Sequence, residues 1–203
     1  VETLSDGAVL SFGLESADPN VHEQNWLNCD PGQLRTAVRL VNEHGRQRGE
    51  RGLPKLLPGL NFIAGLNGET EESYRMNLEL LRSMREEGLW LRRINIRQVE
   101  GQGFQEIPER TFRKFKREVR EGIDRPLLEE MLPLGTVLRG VWWESHDDRI
   151  RRPEQVLDPK HRDEAIRGVA GITFGRQIGA YPILVGLPYK VPLESSTDVI
   201  VTG

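Results

Sequence analysis

The stretch Leu60 to Thr70, Leu-Asn-Phe-Ile-Ala-Gly-Leu-Asn-Gly-Glu-Thr, constrains the fold of this chain most, because it runs from an apolar segment through two glycines into an acidic helix start. Phe62, Ile63, Ala64 and Leu66 form a short apolar run without alternation, the pattern of a strand buried on both faces of a parallel sheet. Gly65 and Gly68 permit a tight turn at its carboxyl end, where open and barrel α/β folds hold their ligands. Thr70 stands at an N-cap position, and Glu69, Glu71 and Glu72 place negative charge at the positive end of the following helix dipole. The stretch therefore predicts a strand, a turn and a helix.

The flanking segments repeat that theme. Ala8 to Leu14 predicts a strand with the polar turn Glu15-Ser16-Ala17-Asp18-Pro19 at its carboxyl end, where Glu15 and Ser16 are either ligand contacts or solvated turn residues. Asp30-Pro31-Gly32-Gln33 predicts a helix start, with Asp as N-cap, Pro at the first helical position and Gln completing a capping box. Leu34, Ala37, Val38 and Val41 follow at helical spacing, and Gly45 closes the helix before a Gly- and Pro-broken loop from Arg46 to Pro58. After the anchor strand, Tyr74, Leu78, Leu80, Leu81 and Met84 predict an amphipathic helix from Glu71 to about Glu87, ended by Gly88. Leu89 to Val99 alternates as a third strand, with Arg93, Asn95 and Arg97 on one side. That side is either the wet face of an edge strand or the lining of a barrel interior that takes an anionic ligand, since arginine suits bidentate carboxylate or phosphate recognition. Strands separated by helices at this spacing imply consecutive right-handed βα units in a parallel sheet.

With 203 residues the chain can hold one large domain or two small ones. A net charge of −3 with 29% charged residues announces no nucleic-acid or membrane partner for the whole chain, so any such partner must be argued from local patches. Cys29 is the single cysteine, which excludes an internal disulfide framework and any all-thiolate metal site made by this chain alone. A reducing, cytoplasmic setting is the expectation. No apolar stretch approaches the ~20 residues of a membrane span, so no membrane partner is expected. Val1 in place of Met, and Gly203 just after the apolar Val199-Ile200-Val201, suggest ends cut from a longer polypeptide.

Pro108 to about Leu132 predicts helix, with Phe112, Phe115 and Val119 on one stripe and Pro126 dividing the segment in two. Arg110, Arg113, Lys114, Lys116, Arg117 and Arg120 make a local cationic face, either simply solvated or in contact with the phosphates of RNA. Thr136 to Trp143 predicts a strand, followed by a charged loop from Glu144 to Arg152, and Thr173 to Gly186 and Thr197 to Thr202 predict further strands of a small β module. Ser145, His146, Asp147 and Asp148 are triad and metal-ligand residue types, but neighbours in sequence rarely converge as a site.

Three of these segments together resemble the radical S-adenosylmethionine enzymes: Ser11-Phe12-Gly13-Leu14-Glu15-Ser16, the Val38-to-Gly45 segment ending Val-Asn-Glu-His-Gly, and Asn61 to Glu72. The resemblance covers roughly residues 8 to 100 and implies α/β architecture, the carboxyl-terminal half of a partial (β/α) barrel, its fourth to sixth strands. It implies cofactor contacts from Glu15 and Ser16 after the fourth strand, from Asn61 and the Gly65 turn of the fifth, and from Arg97 on the sixth. The turn Gly65-Leu66-Asn67-Gly68-Glu69-Thr70 carries Asn67 where relatives usually have Pro. The defining Cys-x3-Cys-x2-Cys motif is absent, so the [4Fe–4S] cluster and S-adenosylmethionine chemistry belong to the full-length protein, with the missing amino-terminal half as partner and no cofactor expected on this fragment alone. The expected organisation is a half-barrel over 1–107, a helical connector over 108–132 and a β module over 133–203 that resembles the TRAM-like modules of methylthiotransferases. Thr173 to Pro182 is also similar to a segment of archaeal iron–sulfur oxidoreductases. The competing expectation is a non-catalytic RNA-binding protein that uses Arg113, Lys114, Lys116 and Arg117 with the β module.

Overall fold

Alternation and helical periodicity divide the amino-terminal part into strands and helices in the order β1 (Ala8–Glu15), α1 (Pro19–Asn25), α2 (Pro31–Gly45), β2 (Leu56–Ala64), α3 (Glu71–Glu86) and β3 (Arg93–Gln98). The computed structural model describes residues 4–99, 108–147, 171–179 and 181–202. Val1, Asp148, the Arg149–Arg152 end of the expected loop, Ala180 and Gly203 lie outside the described residues. The chain divides into two units, the first built from Val9–Gln47 and Pro54–Met131, the second from Ser5–Ala8, Arg48–Leu53 and Leu132–Gly203.

In the first unit the strands form a parallel three-stranded sheet ordered β1-β2-β3, with Asn61 opposite Asn95 and Ile63 opposite Arg97. Side chains alternate across it by the parity of their numbers. Leu14, Leu60, Phe62 and Ala64, with Phe12, Ile94 and Ile96, face a core shared with Leu34 and Val38 of α2 and with Tyr74, Leu78, Leu81 and Met84 of α3. Leu81 and Met84 are completely buried, each contributing about 1.5–3 kcal/mol by removal from water. The odd-numbered face carries Ser11, Glu15, Asn61, Arg93, Asn95 and Arg97, so Ile63 lies on a polar face and β2 is not the doubly apolar strand its sequence suggested. No closed barrel forms among the described residues.

The helix starts follow their capping chemistry. Asp30 Oδ1 accepts from Gly32 N at 2.7 Å and Gln33 N at 2.9 Å, and Gln33 Oε1 accepts from Asp30 N at 3.2 Å. Gly45 is the last residue of α2, capped by Arg46, and the close approach of the Leu56 carbonyl oxygen, 2.2 Å from where a Cβ would stand, requires glycine there. The cationic segment forms α4 (Glu109–Val119), a π turn (Arg120–Asp124) and α5 (Arg125–Met131). Phe115 packs edge-on against Phe62 and Tyr74, at 6.3 and 5.2 Å between ring centroids, so these helices belong to the first unit's core. The break expected at Pro126 falls upstream of it as the π turn, since proline's missing N–H and its ring act on the carbonyl four residues earlier. Arg85 Nη1 donates to that Gly122 carbonyl at 3.5 Å.

The second unit is an antiparallel sheet ordered β6-β5-β4-β7, from β4 (Val137–Asp147), β5 (Ile172–Gln177), β6 (Leu184–Leu187) and β7 (Ser196–Ile200). Leu53, Leu138, Val141 and Trp143 form its core, and the Trp143 indole N–H donates to Thr197 Oγ1 at 3.0 Å. Glu144 to Asp147, expected as loop, instead continue β4, with Glu144 at a bulge and Ser145, His146 and Asp147 paired along β5. His146 Nε2 donates to the Val191 carbonyl at 2.9 Å, and Ser145, His146 and Asp147 alternate between faces, so they form no catalytic group. No helix among the described residues is long and apolar enough to cross a membrane.

Candidate functional site

The polar face of the parallel sheet meets two turns at the ends of β1 and β2. Glu15 closes β1 in a left-handed conformation, φ 66°, that costs a residue with a Cβ about 1–2 kcal/mol. Its carboxylate folds back over Gly13, where a Cβ would lie 2.5 Å from Oε1. Burial raises the Glu15 pKa above its ordinary value, and the positive charge of Arg97 opposes that rise. Among the described residues, Glu15 Oε2 is buried and receives no hydrogen bond. A strained backbone and an unsatisfied buried carboxylate oxygen on one residue are the combination that clusters at ligand sites.

Asn61 and Asn95 sit side by side on the same face, with Asn95 Nδ2 donating to Asn61 Oδ1 at 2.8 Å and Arg93 Nε donating to Asn95 Oδ1 at 2.9 Å. Arg97 follows one pleat further along β3. Glu15, Asn61 and Arg97 thus share one face, and Gly65 stands at its edge with φ 97°, its N–H donating to Glu69 Oε2 at 2.6 Å. Ser16 is not with them. It is fully buried, and its hydroxyl accepts from Asp18 N at 3.2 Å.

Behind that face a buried polar network fixes both turns, which sequence reasoning missed. Asn77 Oδ1 accepts from Ala17 N at 2.6 Å, and Ser73 Oγ donates to Asp18 Oδ2 at 2.5 Å while accepting from Thr70 N at 3.0 Å. Tyr74 donates to Glu69 Oε2 at 3.0 Å. Burial raises the Glu69 pKa against the lowering effect of the Gly65 and Tyr74 hydrogen bonds, and burial together with the Glu69 charge holds Tyr74 firmly protonated. The signal was present in part: Asn77 and Ser73 fall on the apolar stripe of α3, where a polar residue needs a partner. Helix α1 is tied to the second turn by Asn25 Nδ2 donating to the Asn67 carbonyl at 2.8 Å and Asn67 N donating to Asn25 Oδ1 at 3.1 Å. Its left-handed C-cap, Trp26, is 87% exposed beside a hollow of about 490 Å³ lined by His22, Glu23, Leu27 and Asp30.

Two remaining candidates lie elsewhere. Cys29 is half-buried, with a thiol pKa raised by burial and by the Asp30 charge, the opposite of a poised thiolate. Arg113, Lys114, Lys116 and Arg117 are exposed on α4; Arg113 pairs with Glu109 at 2.5 Å and Lys116 lies 5.2 Å over the Phe112 ring.

No family model matches this chain. It is 37% identical over 197 residues to an uncharacterized protein of Methanocaldococcus jannaschii, covering 92% of this chain and 32% of that protein. It is likewise 37% identical over 202 residues to an uncharacterized protein of Archaeoglobus fulgidus, covering 95% of this chain and 34% of the other. The chain spans about a third of the length of these curated relatives.

Proposed function

We propose that the polar face of the parallel sheet is one side of an S-adenosylmethionine pocket, contributed by this chain to a larger radical enzyme with a partial (β/α) barrel. The observation that carries the reading is the convergence of Glu15, Asn61 and Arg97 on one sheet face, with a strained Glu15 whose buried Oε2 lacks a donor. The fit to the cofactor is chemical. A buried carboxylate suits vicinal ribose hydroxyls, a guanidinium suits the amino-acid carboxylate, and the amide of Asn61 suits a polar edge between them. Bound beside a reduced [4Fe–4S] cluster held by the rest of the protein, S-adenosylmethionine would supply radical chemistry, with Glu15, Asn61 and Arg97 as the residues of this chain that would hold it. This chain cannot hold such a cluster, because three thiolates are needed and Cys29 is alone. Its residues bind and orient: the turns at Glu15 and Gly65 are locked by the network of Asp18, Glu69, Ser73, Tyr74 and Asn77, which presets the face before a ligand arrives. The β module is assigned the positioning of a substrate.

Anaerobic reconstitution of the full-length protein tests the reading. A cluster spectrum, 5′-deoxyadenosine formation, and loss of S-adenosylmethionine binding in Glu15→Gln are the expected results. A reconstituted cluster with neither cofactor binding nor 5′-deoxyadenosine would refute it. The second reading, an RNA-binding protein, is favoured only by the exposure of Arg113, Lys114, Lys116 and Arg117, and the ion pair to Glu109 already occupies one of the four.

A further inference from the structure

We infer that Arg93 sets the hydrogen-bond polarity of the open sheet face by fixing the Asn61 amide, so that Asn61 offers N–H donors rather than its carbonyl to a ligand. The two ends of an asparagine amide are alike in size, so its partners alone decide which way it points. A guanidinium has donors and no acceptor. The end of Asn95 that faces Arg93 Nε, 2.9 Å away, is therefore its carbonyl. The NH2 end of Asn95 then faces Asn61 at 2.8 Å, and the Asn61 atom it meets must be an acceptor, Oδ1. The end of Asn61 turned away from Asn95 is then its NH2.

The relay runs along one face because Arg93 and Asn95 are two apart on β3 and Asn95 is in register with Asn61 on β2. Its consequence is a face of defined polarity: donors at Asn61, an acceptor at Glu15, a cation at Arg97. A ligand that fits presents a carbonyl, carboxylate or ring nitrogen to Asn61 and a donor such as a hydroxyl to Glu15. Arg93 contacts Asn95 rather than the ligand, so it is a positioning residue. The identity of the ligand rests on the function proposed above; the direction of the relay does not.

The test uses the full-length, anaerobically reconstituted protein with S-adenosylmethionine as probe in equilibrium dialysis. Arg93→Glu replaces a donor with an acceptor, which inverts Asn95 and turns the Asn61 carbonyl outward. Binding is expected to weaken on the order of tenfold. In an Asn61→Ala background no amide remains to be turned, so Arg93→Glu is expected to add nothing there. The same tenfold loss in both backgrounds would mean that Arg93 acts through its charge alone and would overturn the inference. A neutron structure of the full-length protein reads the relay without any ligand. Deuterium on the Asn95 atom that faces Asn61, and none on the Asn61 atom that faces back, supports it; the reverse arrangement overturns it even if S-adenosylmethionine binds. A correctly oriented relay in a protein that fails to bind S-adenosylmethionine supports the inference and removes only the ligand assignment.

Discussion

Replacing Asp124 by Asn isolates what an ionised carboxylate costs in the π turn. Asp124 ends that turn beside the buried Ile123, and burial lifts its pKa from 3.8 to about 6 against the opposing charge of Arg120. The folded pKa is the higher one, so between these values the folded chain holds a proton that the unfolded chain has released. The stabilising contribution is fully present below pH ~4 and is lost as pH rises through about 6. At about 1.4 kcal/mol per tenfold in proton affinity the whole gap is worth ~3 kcal/mol, and about 2 kcal/mol after allowing for the partial solvation of this side chain. Asparagine has the same shape and never ionises. Asp124→Asn is therefore expected to leave stability unchanged at pH 4 and raise it by about 2 kcal/mol at pH 8, measured by urea unfolding with the m-value checked for constancy. An equal gain at both pH values would trace the effect to helix propensity. A loss at pH 8 would mean that the carboxylate is held by a favourable interaction, and the burial argument would fail.

Three further outcomes are expected. Glu15→Gly relieves the left-handed backbone and removes the unsatisfied oxygen, raising thermal stability by about 1 kcal/mol after glycine's extra unfolded entropy while abolishing S-adenosylmethionine binding by the full-length protein; a destabilised variant would make Glu15 a structural residue. Trp143→Phe shrinks a fully buried ring and costs about 1–3 kcal/mol in urea unfolding, and since the exposed Thr197 hydroxyl turns to water, Thr197→Val in the same molecule is expected to recover little of it. If the α4 cations grip RNA, binding falls with salt at roughly 0.7 per phosphate contact, and charge reversal at Arg113, Lys114, Lys116 and Arg117 flattens that slope; no RNA retained by the full-length protein at low salt would remove the idea.

What could be read from the sequence was what local chemistry controls. Asp30-Pro31-Gly32-Gln33 announced α2 because every partner of its capping box lies within three residues. Asp18-Pro19 carries the same signature and starts α1, but that helix has seven residues and buries only Val21, so no periodicity marks it. The parity of Arg93, Asn95 and Arg97 was visible, and so was the apolar stripe of α3. The left-handed turn at Glu15 was not, because glutamate has no preference for φ above zero and the conformation is imposed by the buried partners of Ser16, Ala17 and Asp18. The extension of β4 through Asp147 was hidden for a related reason: its polar residues are held by pairing with β5, a contact some thirty positions away in the chain.

The shared parity of the three parallel strands also sets how this chain can tolerate changes in length. Ser11 and Glu15, Asn61, and Arg93, Asn95 and Arg97 all stand on the odd side, with Leu14, Leu60, Phe62 and Ile94 on the even side. One residue inserted or deleted inside β2 exchanges the two sets at once, driving an amide into the helical layer and a phenylalanine onto the polar face. The same event in the Arg46-to-Lys55 connection leaves both sets where they are. A library of single-residue insertions and deletions scored for folding should therefore show sharp intolerance over 56–64 and 93–98 from this exchange of faces, whereas in the connection the cost falls on the second unit, whose core holds Leu53 and whose Arg139 and Gln177 side chains bond the Glu50 and Arg51 carbonyls.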